Sequence, residues 1–337
     1  MKSTITDVAK EAGVSMKTVS RVLNNEPNVA KKTRERVLRV ASELRYSPNL
    51  AARGLASSKS YLIALIYDRS PSPNYIAPIQ RGAIDACREN GFHLVVEPLD
   101  IAGTEAGENV ERLLERLPVD GIILTSPLCD NPDILDILKR LRIPYVPISP
   151  RHPNPDMSAI LMDNTQAAQE MTEYLISQGH EKIGFISGHG DHNSSALRYN
   201  GFLSAMESAG LDINPDWVIE GDYSFRSGVE AAQILLGGEY VPTAIFACND
   251  DMAAGVVSVA NIKGIDVPRD LSLGGFDDTP LATIITPQLT TIRQPIHQMG
   301  HLAASLLINP PEAESRLDSY VLDHKLIIRD SSSKKRE

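Results

Sequence analysis

TITDVAKEAGVSMKTVSRVLN, residues 4–24, reads as two short helices joined by a tight turn. Such a pair needs a small residue where the helices cross, a glycine in the turn, and side chains at the start of the second helix that reach outward. Ala9, Gly13 and the set Met16, Lys17 and Arg21 meet those three requirements. Thr4 with Asp7, and Ser15 with Thr18, each place a hydroxyl three residues ahead of a second polar group, the pattern of a helix start. The spacing predicts helices over about 5–12 and 16–23, a helix-turn-helix.

Charge narrows what such a pair is for. Residues 1–60 hold 12 Lys+Arg against 5 Asp+Glu, a balance of +7, in a chain of 337 residues with net charge −10. The remainder holds 21 against 38, or −17. A positive field confined to one end of an acidic protein suits phosphate contacts, so nucleic acid is assigned to that end alone.

A third helix is predicted over about 31–44, where Val37, Val40, Ala41 and Leu44 share a face that closes a three-helix core. Ala30 at its start has no side-chain acceptor, so this end is expected to fray. Pro48 stops the helical run, and Asn49 to Ala56 then offers only about two turns, with Gly54 inside costing about 1 kcal/mol relative to alanine. Helices shorter than about 12 residues are marginal in water, so this hinge is expected to fold only when docked.

The stretch 4–24, YSPN at 46–49, and the pair Ala52 and Leu55 resemble the LacI/GalR family of bacterial transcription regulators, the lactose-repressor and purine-repressor type. The likeness runs in order to about Arg329. It implies a homodimer on a pseudo-palindromic operator, with the hinge segments paired in the minor groove. Leu55 would wedge between the central base pairs and Ala52 would let the two hinges approach, with Asn49 beside them; unstacking a step costs a few kcal/mol, offset by added contact. By the same resemblance Met16, Lys17 and Arg21 face base edges, where an Arg or Lys on guanine discriminates by about 1–3 kcal/mol. Thr4, Ser15, Thr18, Ser20, Asn24, Thr33 and Tyr46 would position the domain on phosphates.

From Tyr61 onward the rhythm changes. Apolar runs (YLIALIY, HLVVEPL, DGIILTS, PYVPIS, SAILMD, KIGFIS, TAIFACN and LSLGGFD) alternate with amphipathic stretches at 76–90, 104–117, 131–141, 164–179, 194–209, 225–236 and 250–262. That alternation predicts parallel sheets with helices on both faces, and about 270 residues exceed one sheet, so the body is expected to be two doubly wound α/β lobes. The fold class is therefore an all-α helix-turn-helix domain followed by a periplasmic-binding-protein-like body. The expected domains are 1–46, a hinge at 47–60, a body at 61–330, and a disordered polar tail at 331–337. By resemblance the first lobe is about 61–161 plus 293–320, and the second about 162–292 plus 321–330, joined by three chain crossings.

Ligands of open α/β sheets sit beyond the carboxyl ends of the strands, so residues just after each apolar run are the candidates. They are Asp68, Asp163, Asn249 and Asp277, with Arg198 in the loop following KIGFIS, Tyr223 after the VIEGD strand and Tyr75 at the start of a helix. Arg and Asp can each bridge neighbouring hydroxyls and an aromatic ring can cover a sugar face, so the set reads as a polyol site. The resemblance carries Arg198 in R-x-x-G-F, Tyr223 in G-D-aromatic, Asn249 in A-x-N-D, Asp277 in G-F-D-D and Asp163 in MDN. IYDRSPSPNYI, with Ile76 in place of a second ring, departs from it around Asp68 and Tyr75. Asp250 is read as a helix cap. Three acids against one arginine favour a neutral sugar or polyol over a sugar phosphate, unless Arg69 turns inward.

Other chemistries find no support. His189 and His192 lie in a Gly-rich loop without the helix that would fix a metal pair; Gly188 and Gly190 lack the third glycine of a dinucleotide loop; Ser187, Ser194 and Ser195 are in no nucleophile elbow. No metal, cofactor or catalytic set is expected, and the chain is read as a non-enzyme. Three cysteines, Cys87, Cys129 and Cys248, fit a reducing compartment, and the lack of a signal peptide or of an apolar run near 18 residues points to the cytoplasm and away from a membrane. The body alone also suits a transporter's solute-binding protein, which has no DNA-reading head, or a sugar enzyme, which needs a general acid/base pair.

Overall fold

The computed structural model describes residues 3–23, 27–46, 59–69, 73–99, 106–154, 157–312 and 319–336. They form two compact units, 1–61 and 62–337.

In the first unit, α1 (Ile5–Ala12), α2 (Met16–Leu23) and α3 (Lys31–Glu43) enclose a small core of Val8, Ala9, Ala12, Val19, Val22, Val37, Val40 and Ala41. Thr4 and Asp7 cap α1 reciprocally: the Asp7 backbone N–H donates to the Thr4 hydroxyl, and the Thr4 backbone N–H donates to the Asp7 carboxylate at 2.8 Å. Gly13, at φ 60°, ends the helix in the left-handed conformation that glycine adopts without penalty. The Thr18 N–H donates to Ser15 Oγ at 3.2 Å at the start of α2, whereas Ala30 gives α3 no side-chain cap.

The second unit holds two sheets of six strands. The first lobe contains β1 (Leu62–Asp68), β2 (His93–Leu99), β3 (Gly121–Thr125), β4 (Tyr145–Ile148) and β5 (Ala159–Leu161), joined late in the chain by β11 (Ser319–Val321). Its order is β11-β5-β4-β3-β1-β2 and every pairing is parallel. The second lobe contains β6 (Ile183–Ser187), β7 (Val218–Glu220), β8 (Ala244–Ala247), β9 (Ser272–Asp277) and β10 (Thr290–Arg293), with β12 (Lys325–Ile327) antiparallel at one edge. β3, β8 and β9 are buried along their whole length, as strands covered on both faces must be.

The connecting helices are α4 (Pro73–Glu89), α5 (Ala106–Arg116), α6 (Pro132–Leu141), α7 (Asn164–Ser177), α8 (Asn193–Ser208), α9 (Phe225–Leu235), α10 (Asp250–Lys263) and the short α11 (Leu281–Ile284). A further helix, α12 (Ile296–Ile308), is not among the amphipathic stretches read from the sequence. Its buried face, Ile296, Met299, Gly300, Ala303, Ala304 and Ile308, uses small residues that weaken the hydrophobic signal. They let α12 lie close on α4, where a Cβ at Gly82 or Gly300 would overlap backbone of the other helix. The chain crosses between lobes at 162–163, 294–295 and 322–324.

The expectation of a disordered tail is overturned for 331–336. Ser331 exchanges backbone bonds with Leu273 and Gln288, and its Oγ donates to Leu273 O. The Ser332 hydroxyl meets those of Thr290 and Tyr174, and the carbonyl of Ser333 meets the buried His180 ring at 3.1 Å. A serine run looks solvated by composition, but here its hydroxyls satisfy backbone and side-chain groups of the second lobe. No helix among the described residues is long and apolar enough to cross a membrane.

Candidate DNA-reading face and ligand cavity

On the first unit, Met16, Lys17 and Arg21 stand on the solvent face of α2, opposite the buried Val19 and Val22, with Met16 53% exposed. The Thr6 hydroxyl lies 3.5 Å from the Met16 sulfur. Thr4 and Ser15 spend hydroxyl bonds on capping at exposed helix starts. Thr18, Ser20, Thr33 and Tyr46 are half-buried around the same helices. Asn24, Asn49, Ala52 and Leu55 lie outside the described residues, as does Gly54.

In the body, the carboxyl ends of both sheets face a cavity of about 620 Å³, including its open mouth. Six of the seven residues chosen from sequence line it: Asp68, Tyr75, Arg198, Tyr223, Asn249 and Asp277. Asp163 does not. It is exposed and caps α7, accepting the Gln166 N–H at 2.9 Å, because a residue that follows a strand can also precede a helix. The cavity adds Ile76, Thr125, Ser126, Ile148 and Ser149 from the first lobe, and His192, Ser194 and Gln294 from the second lobe and its crossover. Ser126, Ser149 and Gln294 follow β3, β4 and β10 directly, so the same strand-end rule locates them; uncharged side chains gave it less to notice.

The second-lobe wall is bonded to itself. Arg198, 4% exposed, donates from Nε to Asn164 Oδ1 at 3.0 Å and from Nη1 to the Cys248 carbonyl, and its guanidinium lies 3.6 Å from the centre of the Phe276 ring. Its Nη2 is 3.9 Å from Asp277 Oδ1, an ion pair longer than a hydrogen bond. Gln294 donates to the same Asp277 oxygen. Asn249 is the cap of α10, accepting from Met252 N at 2.9 Å and donating to the Tyr223 carbonyl at 2.8 Å. Asp250 is therefore not the cap: it is fully buried and accepts from the Thr279 backbone and from the Thr279 and Thr291 hydroxyls. The Tyr223 ring, held at φ 69°, packs over Gly188, where any Cβ would overlap it, and its hydroxyl meets Ser194 at 3.2 Å.

Burial sets the protonation of this wall. It pushes Asp277 up to about 7, with Arg198 and Gln294 opposing and Asp251 adding to the rise. His192 is pushed down to about 4, first by burial and then by His189 and Arg198, so its ring is neutral at pH 7. Its edge meets Tyr223, centroids 5.2 Å apart. Tyr75, opposite, is raised by burial and by Asp277. Asn74 Nδ2 bonds Asp251 Oδ1 at 2.9 Å on one side of the cavity, and Arg151 reaches the Gly190 and Asp191 carbonyls on another, so the lobes touch around it. In the first-lobe wall the Ser126 hydroxyl oxygen is buried without a hydrogen-bond partner. No metal-ligating group of three or more side chains is found among the described residues.

Residues 4–49 match the family model described as bacterial regulatory proteins, lacI family, and residues 172–332 match that of the periplasmic binding protein-like domain. Catabolite control protein A of Priestia megaterium is 36% identical over 334 residues, covering 98% of this chain and 100% of the relative. The chain belongs to the LacI family. Like its relatives, this LacI-family protein is a DNA-binding transcriptional regulator and not an enzyme. The lac repressor dimer bound to operator and the anti-inducer ONPF superposes with a TM-score of 0.79 at 28% identity, covering 99% of this chain and 100% of that one. The transcriptional regulator CelR–cellobiose complex superposes at 0.73 with 30% identity, covering 98% and 100%.

Proposed function

We propose that this LacI-family regulator represses transcription by binding a pseudo-palindromic operator as a homodimer, and that a neutral sugar or polyol in the interlobe cavity controls it. Met16, Lys17 and Arg21 read base edges, Met16 by apolar contact alone. Thr4, Ser15, Thr18, Ser20, Asn24, Thr33 and Tyr46 set register on phosphates, and Asn49, Ala52 and Leu55 form the hinge contact in the minor groove. Ligand occupancy changes how the lobes meet, hence the spacing of the two hinges and the free energy of folding them on DNA.

The observation that carries the ligand reading is the cavity itself: polar side chains from both lobes converge at the strand ends, and one of them, the buried Ser126 hydroxyl, has no protein partner. Charge favours a neutral ligand. With Asp163 outside, Asp68 and Asp277 remain against Arg198, whose guanidinium is already directed at Asn164, the Cys248 carbonyl and Asp277. Arg69 is exposed and lines no part of the cavity. Among the described residues lining the cavity, a phosphate dianion would meet carboxylates and no cation besides Arg198. The relative solved with cellobiose is consistent with this class.

Thermal melting of the full chain against neutral sugars and polyols, each paired with its phosphate ester, tests the reading. Neutral compounds are expected to raise the melting temperature and to change operator affinity; stabilisation by phosphate esters alone, or by nothing, would reject it. Leu55→Ala is expected to weaken operator binding while sugar affinity stays at the wild-type value.

A further inference from the structure

Asp277 and Asp278 are consecutive non-glycine residues with positive φ, 107° and 54°. Such backbone persists only where its surroundings over-determine it. Asp277 lines the cavity. The Asp278 side chain, 5% exposed, binds two arginines instead: Oδ2 accepts from Arg293 Nε at 2.6 Å and Oδ1 from Arg329 Nη2 at 2.6 Å.

One of the two arginines flanks a crossover. Arg293 is the last residue of β10, opposite Asp277 in the β9–β10 register. The next residue, Gln294, bonds Asp277 through its backbone N–H and its side-chain amide. Adjacent aspartates thus grip adjacent residues where the chain leaves the second lobe for the first. Arg329 lies two residues past β12, at the end of that strand away from the crossing at 322–324, and is itself fixed by bonds to the Leu289 carbonyl and the Thr290 hydroxyl.

We propose that Asp278 is a positioning residue: by holding Arg293 and Arg329 it fixes the backbone that presents Asp277 to the cavity and ties it to the lobe crossover at 294–295 and to the segment that follows β12. A ligand that moves Asp277 cannot be accommodated locally, because the neighbouring residue is locked by charge-assisted bonds to Arg293 at the crossover and to Arg329 after β12. Occupancy of the cavity is transmitted to the hinge between lobes through this pair. The inference rests on the ligand reading above.

Calorimetric titration of the full chain with the tightest sugar of the panel tests it, on wild type, Asp278→Gly and Asp278→Asn. Glycine and asparagine tolerate the left-handed conformation, so both variants lose the carboxylate without adding backbone strain. Both are expected to raise Kd for the sugar about tenfold at an unchanged ligand-to-chain ratio, and to shrink the sugar's effect on operator affinity. A merely structural role would lower the fraction of binding-competent chain and leave Kd unchanged, which overturns the proposal. If neither variant folds, Arg293→Lys, at a half-exposed position, takes their place, with a rise of about threefold expected and an unchanged Kd as the overturning result. A wild type that binds no compound of the panel rejects the ligand reading and this inference together.

Discussion

On the second-lobe wall of the cavity, Arg198, Asn249, Tyr223 and Asp277 hold one another through side-chain and backbone bonds, whereas the first-lobe wall offers the apolar Ile76 and Ile148 and a buried Ser126 hydroxyl with no partner. The first arrangement is pre-organised, and its residues contribute to folding as well as to binding. The second leaves a polar group to be satisfied by what enters. Removing a bonded group such as Arg198 or Asn249 from the second-lobe wall should therefore cost stability and affinity together, and removing the Ser126 hydroxyl from the first-lobe wall affinity alone.

The largest effect is expected from Arg198→Ala, which breaks a buried ion pair and frees the Asn164 and Cys248 acceptors. Denaturant unfolding should show a loss of about 3–5 kcal/mol, and a loss below about 1 kcal/mol would mean that the wall is not a unit. Next comes the pH response of Asp277. Its folded-state value, about 7, lies above the ordinary carboxylate range, so its contribution to stability is complete below the unfolded value near 4 and is lost as pH rises through 7. Relative to wild type, Asp277→Asn should therefore be least stable at or below pH 4 and gain on it by a few kcal/mol towards pH 8. His192, displaced in the opposite direction, cancels in that difference because both proteins carry it. A difference in melting temperature that stays flat with pH would contradict the burial account.

Asn249→Ala removes the α10 cap and the bond to the Tyr223 carbonyl, for an expected cost of about 1–2 kcal/mol and a weaker ligand. The smallest stability change belongs to Ser126→Ala. Unfolding should move by less than about 1 kcal/mol, upward if at all, since an unpartnered hydroxyl leaves the interior. Sugar affinity should still fall about fivefold, the value of roughly one hydrogen bond. Equal losses from Ser126→Ala and Asn249→Ala would erase the contrast between the walls.

The same contrast explains how much was legible in the sequence. The helix-turn-helix announced itself through local rules, with Thr4 and Asp7 as a reciprocal cap and Gly13 as a stop, and the structure follows them nearly residue for residue. Asn249 and Asp277 stood out as polar or charged groups at strand ends, and Arg198 and Tyr223 by the motifs around them. Asp163 satisfied the same rule and went to a helix cap instead, a choice that depends on where the strand end points in space. Ser126 and Gln294 were passed over since their significance lies in a missing partner and in a grip on Asp277, both products of tertiary packing. α12 hid behind its small residues, and the serine tail behind its polarity.

Control of operator binding by a small neutral ligand in this cavity joins the two walls to the DNA-reading face. It is tested most directly by the anisotropy of a labelled operator fragment, selected with the protein itself, titrated with the full chain in the absence and presence of the saturating sugar. Operator Kd is expected to change at least tenfold, and by less in Asp278→Asn. A sugar that binds in the cavity and leaves the wild-type operator Kd unchanged would contradict it.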